Sequence, residues 1–310
     1  MSKLLTVQEV ADILKIKKTT VYEMIKRGEL PSTKIGKQLR ITEETLNRKL
    51  GGEPAARPSA PMPMPSVPSS SALVNSGGNL ILCGQDIALD IISNHFNTSM
   101  NMPNILRSHA GSYNSLYLLY QGKAHVATCH LWDEESGEYN VSYVKRLLPG
   151  IPVIMIRLFG RHMGLYVRKG NPQHITCWED FARKDITLVN REKGSGTRIL
   201  LDEKLKKLKL NRLEINGYGN EYSSHLSVAS AVARGEGNVG LGIQFYARQI
   251  REVEFIPLQN EWYDMVFLAD QLNTGPFKAL LDYVASEAFM NEIMQIDDYD
   301  FSQTGKIHRF

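Results

Sequence analysis

The sequence predicts an α/β chain in two folded blocks, a small winged helix-turn-helix followed by a large bilobal α/β domain. Three observations carry that reading. Charge is segregated: residues 1–50 hold 11 Lys or Arg against 6 Asp or Glu, and residues 51–310 hold 25 against 27. A +5 head on a −2 body is the asymmetry of a basic nucleic-acid module joined to something else. Between them, residues 51–78 contain six of the thirteen prolines, six serines and four glycines, the composition of an extended, semi-rigid linker. Beyond it, residues 79–310 alternate short apolar runs with helical stretches, the pattern of an α/β domain with largely parallel sheets.

Composition narrows the class further. At 310 residues the chain is long enough for two or three domains, and 43% hydrophobic with 22% charged residues rules out wholesale disorder or a collagen-like fibre. No apolar run approaches the roughly 18–20 residues of a membrane helix. The opening MSKLLTVQEVADILKIKK lacks the apolar region and cleavage site of a signal peptide. Cys83, Cys129 and Cys177 lie far apart, with no C-x-x-C pair for zinc or a redox disulfide. A cytoplasmic protein is expected.

The head reads element by element. Thr6 with Glu9 forms a T-x-x-E capping box, and Val7, Val10, Ala11 and Leu14 then keep the spacing of one buried helical face. A turn at Lys15–Lys18 leads to Thr19, read as the cap of a second helix running through Arg27 and stopped by Gly28. Val21, Met24 and Ile25 would face the first helix. Pro31–Ile41 reads as two short strands around Gly36, a wing, and Thr42 as the cap of a third helix, Glu43–Leu50. Lys17, Lys18, Thr19, Thr20 and Tyr22 cluster where a recognition helix meets base edges and phosphates, Lys26 lies farther along it, and Lys34, Lys37 and Arg40 decorate the wing. The string LTVQEVADILKIKKTTVYEMIKRGELPSTKIGKQLRI resembles the excisionase-like, MerR-related winged helix-turn-helix family. The resemblance implies major-groove reading by the second helix and backbone contact by the wing.

In the body, NLILCG, KAHVATCH and NVGLGI read as strands, the last two entered from helices that stop at Gly122 and Gly235. That repeated order suits two similar lobes, and residues 151–172 and 253–270 read as the crossings between them. NREKGSGTR, Asn190–Arg198, lies between the strand Ile186–Val189 and a helix with Leu201, Leu205 and Leu208 on one face. Strand, glycine-rich turn and helix start make either an anion site, with Ser195 and Thr197 as hydroxyl donors and Arg198 as a fork, or a tight turn with a serine cap. Lys206, Lys207 and Lys209 at the helix end read as solvated. Gly235, Gly237 and Gly240 spell G-x-G-x-x-G, but a helix precedes them and a strand follows, the reverse of a dinucleotide fingerprint. There is no G-x-S-x-G elbow, no H-E-x-x-H and no spaced set of metal ligands, so no catalytic residue and no protein-ligated metal is assigned.

The segments CGQDIALDII, HAGSYNSLYLLYQGKAHVATCHLWD, NREKGSGTRILLDE and SSHLSVASAVARGEGNVGLGI resemble the type II periplasmic-binding-protein superfamily, in particular PBP-like domains related to molybdate and tungstate sensors. The resemblance implies two α/β lobes closing on a ligand. Its contacts would be Gln85 and Asp86; Gly111, Ser112 and Tyr113; His130; Gly194, Ser195, Gly196, Thr197 and Arg198; and Ser224 with His225. Asp86 is open to a capping role instead, and His130 to a structural one. The implied effector is an oxyanion such as molybdate or tungstate, with an organic anion or a molybdopterin-like compound as alternatives. Together the blocks suggest a one-component regulator that binds double-stranded operator DNA as a homodimer and senses a small anion. A molybdenum-cofactor biosynthesis enzyme, and an excisionase-like architectural protein whose C-terminal block only docks to partners, are the remaining alternatives.

Overall fold

The computed structural model describes residues 4–27, 30–35, 38–43, 46, 79–99, 102–296 and 299–310. The chain divides into two units, Met1–Pro65 and Ser66–Phe310. The expected linker, Gly28, Gly36, Lys37 and most of the expected third helix lie outside the described residues.

The first unit comprises β1 (Leu4–Thr6), α1 (Val7–Leu14), α2 (Lys18–Lys26), β2 (Thr33–Ile35) and β3 (Gln38–Thr42). The capping box forms as expected: Thr6 Oγ1 accepts the Glu9 N–H at 3.1 Å, and Glu9 Oε2 accepts the Thr6 N–H at 2.6 Å. Lys15 ends α1 in the left-handed region, with φ of 54°. That tight turn lets α2 begin at Lys18 behind Lys17, which makes no side-chain cap bond, so Thr19 lies inside the helix and does not cap it. The wing forms from β2 and β3. β1, unexpected from sequence, pairs antiparallel with β3 from Leu4↔Thr42 to Thr6↔Arg40. Leu5, Val7, Val10, Ala11, Val21, Leu30, Ile41 and Leu46 make the small core, with Met24 and Ile25 packed against it.

In the second unit, β4 (Leu80–Cys83), α3 (Ala88–Thr98), β5 (Ile105–Ser108), α4 (Ser112–Tyr120) and β6 (Val126–Cys129) build the first lobe. A hairpin, β7 (Trp132–Asp133) with β8 (Glu138–Tyr139), and α5 (Val141–Leu147) lead into β9 (Val153–Arg168). The second lobe holds β10 (Leu188–Arg191), α6 (Gly196–Lys207), β11 (Glu221–Tyr222), α7 (His225–Arg234), β12 (Val239–Ile243) and α8 (Gln244–Arg248). The chain returns through β13 (Val253–Leu268) to α9 (Gly275–Val284), α10 (Glu287–Met294) and β14 (Ile307–Arg309).

The sheet order is β11-β10-β12-β9-β13-β6-β4-β5, with β14 also on β9. β9 and β13, each 16 residues, are the two crossings that the apolar runs predicted, paired antiparallel from Val253↔Arg168 to Leu268↔Val153. One half of β9 buries Ile154, Ile156, Leu158 and Phe159 in the first lobe's core, and the other buries Leu165 and Val167 in the second's. The expectation of largely parallel sheets holds only within the lobes. β4 runs parallel to β5 and β6, and β10 to β11 and β12, but both crossings run antiparallel to their lobe neighbours.

The two lobes repeat the glycine stop. After α4, Gly122 has φ of 67° and the Lys123 N–H reaches back to Leu118 O at 2.9 Å. After α7, Gly235 has φ of 79° and the Glu236 N–H reaches Ala231 O at 3.0 Å. Each is a left-handed cap that satisfies orphan carbonyls and turns the chain back into the sheet.

Candidate ligand cleft and DNA-facing helix

Loops that leave the strands of both lobes meet the crossing strands around a narrow cavity of about 10 Å³. Its lining is Gly84, Gln85 and Asp86; Ala110, Gly111 and Ser112; Thr128 and His130; Arg161; Ser195 and Gly196; His225; and Tyr263. α4, α6 and α7 all begin at this lining, so the positive ends of three helices converge on it. Ser195 caps α6 by accepting the Arg198 N–H at 3.2 Å, as the glycine-rich motif suggested.

The floor is a buried charge network on paired positions of the crossing strands. Arg161 on β9 lies opposite Glu261 on β13 and donates Nε–H to Glu261 Oε1 at 2.7 Å. Its Nη1 pairs with Asp86 Oδ2, and its guanidinium lies over the Tyr263 ring, 4.4 Å from the centroid. Asp86 Oδ1 accepts the Ala88 N–H at 2.8 Å and the Tyr299 hydroxyl at 3.2 Å. Asp86 therefore does both jobs, holding the start of α3 and neutralising Arg161. Glu261 Oε2 lies 2.8 Å from His130 Nδ1. Burial holds His130 below the usual imidazole range; Glu261 opposes that, and Arg161 and Arg191 reinforce it. Burial pushes the Glu261 carboxyl up, but His130 and Arg161 bring it below its ordinary value. We assign a neutral imidazole donating Nδ1–H to an ionised carboxylate. Burial, then Arg191, Arg161 and His130, hold His225 well below its ordinary value. Thr128 Oγ1 donates to Cys83 O at 2.8 Å, so it accepts from the Tyr263 hydroxyl at 2.6 Å.

The lobes touch across the cleft. The Tyr113 N–H donates to Gly194 O at 3.0 Å, and Arg191 Nη2 donates to Gln85 Oε1 at 2.6 Å. A Cβ on Gly111 would come 2.7 Å from Gly194 O, and one on Gly196 would come 2.5 Å from His130 Cε1. Only glycine permits either approach.

The lining thus gathers Gln85, Asp86, Gly111, Ser112, His130, Ser195, Gly196 and His225 from the residues the sequence nominated. The others sit elsewhere. Tyr113 gives its backbone to the cross-lobe bond while its ring stays exposed, and Gly194 accepts that bond. Ser224 caps α7, and Thr197 is buried outside the lining. Arg198 turns away: its Nη1 donates to Arg191 O at 2.9 Å and to Glu221 at 3.2 Å, and its guanidinium lies over Tyr218. Lys206, Lys207 and Lys209 are exposed as expected, although Lys207 also pairs with Glu134 at 2.5 Å, as the half-buried Lys204 does at 2.7 Å. Sequence reasoning missed Gly84, Ala110, Thr128, Arg161 and Tyr263. Arg161 and its partner Glu261 did leave a signal, charged letters inside long apolar strands.

On the first unit, Lys17, Lys18, Thr19, Thr20, Tyr22 and Lys26 are exposed while Val21 turns into the core. Arg40 on β3 is half-buried and donates to Gln38 Oε1 at 2.9 Å. Lys34 lies on β2, but its side chain, like all of Lys37, is outside the described residues. Among the described residues no His, Cys, Asp or Glu group could hold a metal ion, and no helix is long and apolar enough to cross a membrane.

Two family models match the chain: the helix-turn-helix domain over residues 4–50, and the PBP superfamily domain over residues 93–285. YvgK of Bacillus subtilis (strain 168) is 41% identical over 305 residues, covering 97% of this chain and 96% of that protein. Among solved structures, a Clostridium perfringens protein assigned as a phosphate ABC transporter substrate-binding protein, with phosphate bound, is 16% identical with a TM-score of 0.54, covering 74% of this chain and 99% of its own. OxyR of Corynebacterium glutamicum, with hydrogen peroxide bound, is 13% identical with a TM-score of 0.51, covering 94% of this chain and 89% of its own. At those identities the likeness is one of fold. The chain belongs to the PBP superfamily, with a helix-turn-helix domain ahead of its PBP domain.

Proposed function

We propose that the chain is a one-component transcriptional regulator, in which the first unit binds operator DNA and the cleft of the second takes a small anion that alters DNA affinity. The observation that carries this reading is the pairing, in one chain, of an exposed basic helix with a cleft framed by three helix N-termini and a guanidinium. Oxyanions of the molybdate and tungstate class head the candidates, with small organic anions beside them. Binding is favoured over catalysis, including cofactor biosynthesis, by how the lining hydroxyls are used. Ser112 Oγ accepts the backbone N–H of His130 at 3.2 Å and Ser195 Oγ donates to Glu192 O at 2.9 Å. Among the described residues no lining hydroxyl is bonded to an imidazole, so no nucleophile–base pair is set up.

One short helix-turn-helix offers little surface, and we infer a homodimer on two half-sites. The test is fluorescence anisotropy of the full chain on duplex from the region upstream of its own gene, across a salt series. Affinity is expected to fall linearly in log–log form with salt. A Lys17→Ala/Lys18→Ala double variant is expected to show a slope shallower by about two phosphate contacts. Salt-independent binding, or an unchanged slope in the double variant, contradicts the reading.

A further inference from the structure

We propose that a second cavity, behind the crossing strands, binds a small planar aromatic monocarboxylate. The site is separate from the cleft, and the proposal holds whichever ligand the cleft takes.

Alternation along the crossing strands separates the two sites. On β13, Glu261 and Tyr263 belong to the cleft floor, so Asn260 and Trp262 face the other side of the strand, where both line a cavity of about 280 Å³. β9 changes face through a bulge. Phe159 pairs with Tyr263 and Arg157 with Asp264, which leaves Leu158 extra. Arg157 thus reaches the second cavity while Arg161, on the same strand, reaches the cleft. The β7–β8 hairpin contributes Trp132 and Tyr139, and the C-terminal segment contributes Gln303 and Lys306. The space lies just under the roughly 300 Å³ at which small-molecule sites begin, enough for one or two rings. The cleft, at about 10 Å³, has no room for a ring as it stands.

The walls are aromatic and rich in donors. Trp132 and Trp262 are both half-buried at the cavity. Each carries a cation over one face: Lys204 Nζ lies 4.7 Å from the Trp132 centroid, and the Arg157 guanidinium 4.6 Å from that of Trp262. Indole surface left open in a concave site favours a flat ring. Around it, Asn260 Oδ1 accepts from His162 Nδ1 at 2.9 Å, Gln303 Oε1 from Arg157 Nη1 at 2.7 Å, and the Tyr139 hydroxyl from Gln259 Nε2 at 2.6 Å. The amide and hydroxyl hydrogens of Asn260, Gln303 and Tyr139 have no acceptor among the described residues, and neither has the Lys306 ammonium. Spare donors call for a ligand edge made of acceptors.

Charge restricts that edge to one carboxylate. Arg157 is matched by the fully buried Asp264, at 2.9 and 3.2 Å, and Lys204 by Glu134. Glu138 is the one carboxylate of the lining, and no ion pair joins it to Lys306 among the described residues. The Lys306 ammonium is therefore left to meet an acid. The start of the seven-residue α5, at Val141, adds at most about half a positive charge. With His308 uncharged, a second negative charge on the ligand would find no further cation and would lie near Glu138.

The chain has three tryptophans, two of them in this lining, while Trp178 packs against the core of the second lobe. Trp178→Phe therefore leaves emission from the cavity alone. The test is titration of this full-length variant with benzoate and nicotinate, excited at the red edge of indole absorption, where neither probe absorbs. Cyclohexanecarboxylate, an acid without a flat ring, and benzylamine, a flat ring with a cation, are the controls. Both aromatic acids are expected to change the emission saturably with a Kd of about 1 mM or tighter, and each control to bind at least about tenfold more weakly. Lys306→Met removes an exposed ammonium, is expected to fold as the parent does, and weakens benzoate binding by about tenfold. If Trp178→Phe does not fold, calorimetry with the same probes on the unaltered chain and on Lys306→Met decides. No saturable response to either acid, equal affinity for either control, or benzoate binding unchanged by Lys306→Met overturns the proposal.

Discussion

Arg161 shows what one buried charge demands of its surroundings. Its guanidinium is held by Asp86, Glu261 and the face of Tyr263, and both carboxylates are engaged elsewhere as well. Removing the arginine alone strands two buried carboxylates, so Arg161→Met is expected to destabilise the second unit by about 3–5 kcal/mol in urea unfolding followed on the full chain. A loss under about 1 kcal/mol would show that water or His130 compensates the pair without it. The letters Arg161 and Glu261 were visible in the apolar runs; their meaning was not, because only strand pairing sets them opposite each other and over Asp86. Arg198 is the converse. Its place in a glycine-rich helix start made it look like a ligand fork, but its side chain folds back to Arg191 O, Glu221 and Tyr218. Motif position fixes a backbone and leaves a long side chain several directions.

At the scale of elements, the approach of the lobes depends on glycines at helix starts. Gly111→Ala sets a methyl group 2.7 Å from a backbone carbonyl of the other lobe, and neither backbone can yield without the lobes parting. The variant is expected to lose at least about tenfold in anion affinity by calorimetry, from a displacement of only a few tenths of an ångström, while its Tm stays close to that of the parent. Unchanged affinity would mean that the lobes bind without this contact. A second strap joins the β7–β8 hairpin to α6, through Glu134 with Lys204 and Lys207. Burial raises the Glu134 carboxyl, but bonds from Lys204, Lys207 and Trp132 outweigh it and hold the group down at about 2. A depressed carboxyl stabilises above its ordinary value of 4.5, and that contribution is lost as pH falls toward 2. Glu134→Gln should therefore lower Tm at pH 7, with the difference from the parent closing between about pH 4.5 and 2. A gap that stays constant across that range would assign the effect to packing.

The elements legible in the sequence were those with strong local codes: the Thr6 capping box, the glycine stops at Gly122 and Gly235, and the two long apolar crossings. Among those missed were β1 and β14, at three residues each, β5, at four, β11, at two, and the β7–β8 hairpin, at two residues per strand. Such pieces have too few positions to show a period and exist because a distant strand pairs with them.

For the whole molecule, the small net charge of +3 is a sum over a basic head and a slightly acidic body. That division of labour fits a regulator in which phosphate contacts and anion sensing occupy different parts of one chain. If the two are coupled, the anion changes DNA affinity and DNA changes anion affinity by the same factor, and the change cannot exceed the anion's differential affinity for the two states of the chain. The direct measurement is the Kd of the full chain for its upstream duplex, at fixed salt and pH, with and without a saturating concentration of whichever of nitrate, formate, sulfate, molybdate or tungstate binds most tightly. A shift of about 5- to 150-fold, in either direction, is predicted. An unchanged Kd under saturating anion would contradict the coupling on which the regulator reading depends.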